Sequence, residues 1–181
     1  MNSFSELVKN RRSVRQFTEE KIKAEEVELI MKAALLSPTA RNCRAWNFVL
    51  VENKEMLRKL SLCKTNFAAY LEHCALAVVV LNNPTESRAP VEDASIAAAY
   101  IQLQAEDLGL GSCWCHIPGR ETADGQDSEQ YIRDLLNIPF QYGVTCIIGI
   151  GNKKRAEIPH DEEHLLWENV HIERFTENEQ L

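Results

Sequence analysis

With 181 residues, 45% hydrophobic and 26% charged, the chain can enclose one sizeable core and lies far from the composition of a disordered protein. Twenty lysines and arginines against 27 aspartates and glutamates leave a net charge of −7, which excludes a surface built to coat nucleic acid or anionic lipid; any anion site must be local. The apolar runs at 75–81 and 96–101 fall well short of the ~20 residues that span a bilayer, and MNSFSELVKNRRSVRQF has no apolar core followed by a small-residue cleavage site. The expectation is a cytoplasmic protein with no membrane and no nucleic-acid partner.

The first element is a helix at 3–9, with Phe4, Leu7 and Val8 on one face and a basic turn after it. Val27, Ile30, Met31, Ala34 and Leu35 recur at the spacing of an amphipathic helix, which Ser37-Pro38 stops. Trp46–Val51 and 75–81 are short β-branched-rich apolar runs and read as buried strands. Between them, 54–62 and 66–73 read as helices. Residues 91–108 are apolar nearly all round and rich in alanine, so this helix belongs at the centre of the core or in a subunit interface, and Gly109 ends it. A strand at 112–117, a helix at Ser128–Leu136 and a strand at 144–150 complete the pattern, which is α/β or α+β. No repeat, low-complexity tract or Gly/Ser linker divides the chain, so residues 1–181 form one domain. Cys43, Cys63, Cys74, Cys113, Cys115 and Cys146 lack ligand spacing and read as mostly buried, reduced thiols with no metal role.

Lys9, Arg11, Arg12 and Arg15 place four cations within seven residues in an otherwise acidic chain. Guanidinium forks match phosphate oxygens, and Ser13 adds a short donor, so RRSVR suits a phosphate cradle; it equally suits the solvated cationic end of a helix. The small polar loop Ser37-Pro38-Thr39-Ala40-Arg41-Asn42 precedes a strand, where backbone amides can meet a planar polar ligand or simply turn the chain. Gly109 and Gly111 stand at a helix-to-strand junction, lack the third glycine of a dinucleotide fingerprint and run in the wrong order for one. His160 and His164 stand four apart, but no glutamate follows the first histidine, so the segment reads as a helix start, not a zinc-protease helix.

In order, RRSVRQF, SPTARNCRAWNFVLVEN, EDASIAAAYIQLQAEDLGLGSCW and YIRDLLNIPFQYGVTCIIGIGNKKR resemble the nitroreductase family of flavoproteins over nearly the whole chain. The resemblance implies an α+β fold with three α/β/α layers, in which a central, mostly antiparallel sheet is flanked by helices, and a homodimer binding FMN at its interface. It implies an enzyme that takes electrons from NADH or NADPH and passes them to a nitroaromatic, quinone or related small acceptor by alternating occupancy of one pocket. It assigns Arg11, Arg12, Ser13 and Arg15 to the flavin, with the arginines on its phosphate. Lys154 and Arg155 of the second basic run are assigned there too. Pro38, Thr39, Ala40 and Asn42 become the loop that the neighbouring subunit lays against the flavin, and Gly111 and Ser112 bring backbone near its ring. No catalytic side chain is implied, because the flavin carries the chemistry. Phe67 and Tyr70 either line its open face or pack the core. Two departures stand out: Arg44-Ala45-Trp46 where the family commonly has Gln-Pro-Trp, and Gly151-Asn152-Lys153 where it often has Gly-Tyr-Pro. Other reactions on the same scaffold (dehalogenation, flavin reduction, ring dehydrogenation) and a non-catalytic flavin carrier are the alternatives.

Overall fold

The structure, a computed structural model, describes residues 3–175. Helix α1 spans Phe4–Asn10 and begins one residue later than the periodicity suggests, because Ser3 serves as its cap: the Ser3 hydroxyl accepts from the Glu6 amide at 3.2 Å and the Glu6 carboxylate accepts from the Ser3 amide at 2.7 Å. Helix α2 (Ala24–Leu35) buries Ile30 and Ala34, α3 is Lys54–Ser61, α4 is Pro90–Asp107 and α5 is Ser128–Leu136. The strands are β1 (Trp46–Val51), β2 (Leu76–Asn82), β3 (Leu110–His116) and β4 (Gly143–Asn152). Residues 66–73 contain only a 3₁₀ turn at Ala69–His73.

The four strands form one sheet in the order β1-β2-β4-β3, antiparallel throughout, so the expected α+β architecture is the one observed. Strand β2 is buried along its whole length, and its alternate residues feed two cores. Leu76, Val78 and Val80 join Cys146, Ile148 and Ile150 of β4 beneath Ile30 and Ala34 of α2 and Ala94, Ala98 and Ile101 of α4. Ala77, Val79 and Leu81 join Cys113, Cys115 and Ile147 against Leu57, Leu60, Tyr70 and Ile132. These are the three layers. Helix α4 buries one face only; Ile96 and Tyr100, one turn apart away from that face, are 37% and 40% exposed, and Val91 in its first turn is 51% exposed. All six cysteines are free thiols, five buried and Cys43 half-buried. Among the described residues no helix is long and apolar enough to cross a membrane.

Candidate functional site

The basic segment leaves α1 at Arg11, whose amide caps the helix on Leu7 O at 2.9 Å. It then runs extended across the neighbouring ends of β3 and β4. Ser13 bridges to Ser112, the Val14 amide donates to Ser112 O at 2.9 Å, the Thr18 amide to Asn152 O at 2.9 Å, and the Lys154 amide back to Gln16 O at 3.1 Å. Gly111 and Gly151 are cross-strand partners beneath it. A Cβ on Gly111 would lie 2.7 Å from Val14 Cγ1, and one on Gly151 2.9 Å from Phe17 Cδ1. The two glycines therefore let the basic strip lie flat on the sheet, a packing role that the turn-like sequence around Gly109 and Gly111 does not reveal; β3 already starts at Leu110.

The cations of this strip divide into spent and unspent. Lys153 Nζ sits 2.8 Å from both carboxylate oxygens of Glu106, a half-buried pair that fixes the end of β4 to α4. Arg155 lies 3.9 Å from Glu157. Arg12 donates from Nη1 to Ile158 O at 2.7 Å and more weakly to Pro159 O at 3.4 Å. The same stretch is held by His160, whose amide donates to Lys9 O at 2.9 Å, and by a Lys9–Glu162 ion pair at 3.0 Å. Among the described residues, no carboxylate pairs with Arg11, Arg15 or Lys154. Arg15 and Lys154 line one cleft with Gln16, Phe17, Thr18, Lys54 and His73. Burial lifts the Cys113 thiol above its ordinary value, against the opposing effects of Tyr70, of the Arg15 charge and of Ser13. That places Ser13 and Arg15 beside the middle of β3.

Strand β3 is an edge of the sheet, bridged on its outer side at Ser112 and, among the described residues, without a strand neighbour beyond it. An open edge is a row of backbone donors and acceptors. At its far end, past His116, Gly119, Arg120 and Glu121 face Lys64, Thr65, Asn66 and Phe67 across a cleft of about 450 Å³. Thr65 staples the two walls: its amide and hydroxyl donate to Glu121 O at 3.0 and 3.1 Å. Phe67 has φ +64° and is 83% exposed, whereas Tyr70 is buried and its hydroxyl donates to Cys113 O at 3.1 Å. Of the two aromatic candidates, Tyr70 is core and Phe67 faces outward.

The loop containing Pro38, Thr39, Ala40 and Asn42 is built by Asp93, a buried carboxylate in the first turn of α4. Asp93 accepts from the Ala40 amide and the Ser87 hydroxyl, each at 2.7 Å, and from the Cys43 thiol at 3.4 Å. Arg41, Asn42 and Arg44 all have positive φ. Arg44, one of the departures from the family pattern, donates from its amide to Thr39 Oγ1 at 3.1 Å and from Nε to Asn42 Oδ1 at 3.0 Å. Sequence reading misses Asp93 as the organiser, because beside Glu92 it looks like an ordinary acid in the first turn of a helix.

Within one chain the loop and the basic strip do not meet. The loop adjoins the Trp46, Asn82 and Gly143 end of the sheet, since the Asn83 amide donates to Ala45 O at 3.0 Å, while the strip adjoins Ser112 and Asn152 at the other end. The ten residues of β4 separate those ends by about 30 Å. In the segment of the histidine pair, Glu162–His164 is a 3₁₀ turn capped by Asp161, with His164 bonded to Asp161 at 2.6 Å; among the described residues no group of three or more metal-ligating side chains assembles.

A model of the nitroreductase family matches residues 8–74 and 64–152. The chain belongs to the nitroreductase family. A relative from Archaeoglobus fulgidus, provisionally named NADH dehydrogenase/NAD(P)H nitroreductase, is 35% identical over 158 residues, covering 85% of this chain and 87% of that protein. The FMN reductase (NADPH) of Bacillus subtilis is 30% identical over 134 residues, 63% of this chain and 54% of that one. An FMN-dependent nitroreductase from Clostridium difficile has the same fold, with a TM-score of 0.90 and 39% identity over 93% of this chain and 98% of its own.

Proposed function

We propose that the protein is an NAD(P)H-dependent FMN oxidoreductase of the nitroreductase type that reduces a small aromatic or quinoid acceptor. The observation that carries this reading is the unspent cation set: Arg11, Arg15 and Lys154 lack acid partners among the described residues, in a chain of net charge −7, and stand at the start of the open edge of β3. A phosphate dianion supplies the missing countercharge, with each charge-assisted bond worth roughly 1.5–3 kcal/mol. Ser13, exposed where it bridges to the strand edge, stands where the ribityl hydroxyls would run, whereas Ser112 is buried with its Oγ accepting from Gln102 at 3.4 Å and offers backbone only; Gly111 keeps that backbone close. Arg12 stays nearby with donors to spare, but its Nη1 is committed to Ile158. Arg155, drawn toward Glu157, is the weakest member of the set.

Bound FMN supplies the hydride chemistry: it accepts from the nicotinamide and donates to the second substrate. The chain's own part is to neutralise the phosphate, align the ring on the edge of β3 and leave its open face to one small molecule at a time, donor first and acceptor second. The loop residues Pro38, Thr39, Ala40 and Asn42 reach such a ligand only from a second copy, because about 30 Å of sheet separates the two halves in one chain. The FMN-dependent and FMN-reductase relatives support the cofactor. Purified protein should carry flavin and oxidise NADH or NADPH when an acceptor is added. Flavin bound without turnover would instead identify a carrier.

A further inference from the structure

We propose that the cleft at the far end of β3, between Lys64, Asn66 and Phe67 on one wall and Gly119 and Arg120 on the other, docks the electron acceptor and selects planar aromatic acceptors that carry an anionic group. This rests on the flavin reading above and names the substrate class for the same site. From Ser112, where the basic strip crosses, the strand runs on to His116, about 13 Å away, and Lys64 Nζ reaches His116 O at 3.5 Å. The cleft therefore lies on the same open edge as the phosphate cradle, at the opposite end. Its volume of about 450 Å³ suits a small aromatic molecule.

Phe67 gains nothing from the chain's own core, being 83% exposed, and holds a left-handed backbone that bulky residues avoid. Buried Ala68 follows it and the Thr65 bonds precede it, so the strain is imposed from both sides. The result is an aromatic face held at the mouth of the cleft, available for stacking on a planar ring. The cleft's own lining is net cationic: Lys64 and Arg120 have no acid partner among the described residues and Glu121 opposes them there, while Glu72 and Asp124 line the adjoining cleft on the other side of residues 64–67. An acidic protein repels an anionic substrate at long range, and two cations within a concave site reverse that locally.

For a nitroaromatic carboxylate, one turnover delivers a hydride from NAD(P)H and one solvent proton. One N–O bond of the nitro group breaks, the oxygen leaves as water, and nitroso product and NAD(P)⁺ remain. The test compares 4-nitrobenzoate with its neutral methyl ester on the FMN-loaded protein. The wild type should favour the carboxylate by tenfold or more in kcat/KM. Lys64→Gln combined with Arg120→Gln should bring that ratio to within twofold while FMN affinity changes less than twofold, and Lys64→Arg should keep it. Calorimetric binding of benzoate, which is not reduced, should weaken at least tenfold in the double variant. Phe67→Ala should raise KM for acid and ester alike. A flavin-loaded wild type without preference for the acid, a ratio unmoved in the double variant, or loss of FMN from that variant would each overturn the proposal, the last by assigning the two cations to the flavin itself. Protein that takes up no FMN overturns the flavin reading as well.

Discussion

Arg11 and Arg15 are cations without acid partners among the described residues, so truncating either removes a bond to the proposed phosphate and breaks no ion pair there. Arg11→Ala or Arg15→Ala should weaken FMN binding about ten- to a hundredfold, from 1.5–3 kcal/mol per charge-assisted bond, as read by fluorescence titration of apoprotein; unchanged affinity in both would remove them from the site. Arg12→Ala should behave differently, speeding amide exchange around residues 158–160 because its bond to Ile158 O is the firmest tie of that stretch to the strip. Gly111→Ala drives a Cβ to 2.7 Å from Val14 and should cost about 1–3 kcal/mol in denaturant unfolding. The buried thiols set the alkaline limit. Burial raises the Cys74 thiol to about 12 and pushes those of Cys113 and Cys146 up as well. The unfolded chain releases these protons near the ordinary value of about 8.5 while the native one holds them, so stability should fall as pH rises from about 8.5 toward 12. Cys74→Ala should flatten that fall by about 1.4 kcal/mol per pH unit, and a profile unchanged by the substitution would contradict the assignment.

At the scale of elements, the sheet is fixed by alternation and the loops by single polar anchors. Ile148→Ala, at a fully buried site on β4, should destabilise by about 2–5 kcal/mol. Asp93→Ala should barely disturb the sheet but release the Ala40 amide, the Ser87 hydroxyl and the Cys43 thiol together. Weakened FMN binding with near-native melting would locate its effect in the loop. Apolar patterning makes β1 and α5 legible to the residue and α4 to within one, because the residues Asn53, Asp127 and Gly109 mark their ends. It places β3 two residues late: Gly111 reads as a turn former, yet its missing Cβ makes room for Val14 from a distant part of the chain. The basic strip is legible as a charge anomaly, whereas the split between Lys153, spent on Glu106, and Lys154, which lines the cleft, depends on tertiary contacts that no local pattern records. Lys64 and Arg120 escape notice for the same reason, standing 56 positions apart as ordinary surface cations until the fold sets them across one cleft.

Under the proposed function, a second copy of the chain completes the site. Ile96 and Tyr100, one turn apart, leave exposed apolar surface on α4, and the two candidate halves of the flavin site occupy opposite ends of the sheet. Both features are met by a dimer in which each flavin touches two chains. Binding then links to assembly, and FMN should raise the melting temperature and tighten the dimer. Mixing Arg15→Ala subunits with subunits altered at Thr39 and Asn42 should restore one intact site per heterodimer; a fully active, flavin-loaded monomer would refute the shared site. The central claim meets its most direct test in the visible absorption spectrum of purified protein, recorded without oxygen before and after addition of NADH or NADPH and again after an acceptor. The account predicts a bound flavin spectrum that bleaches with the nucleotide and returns with the acceptor; a protein that binds no FMN, or whose flavin neither nucleotide bleaches, would contradict it.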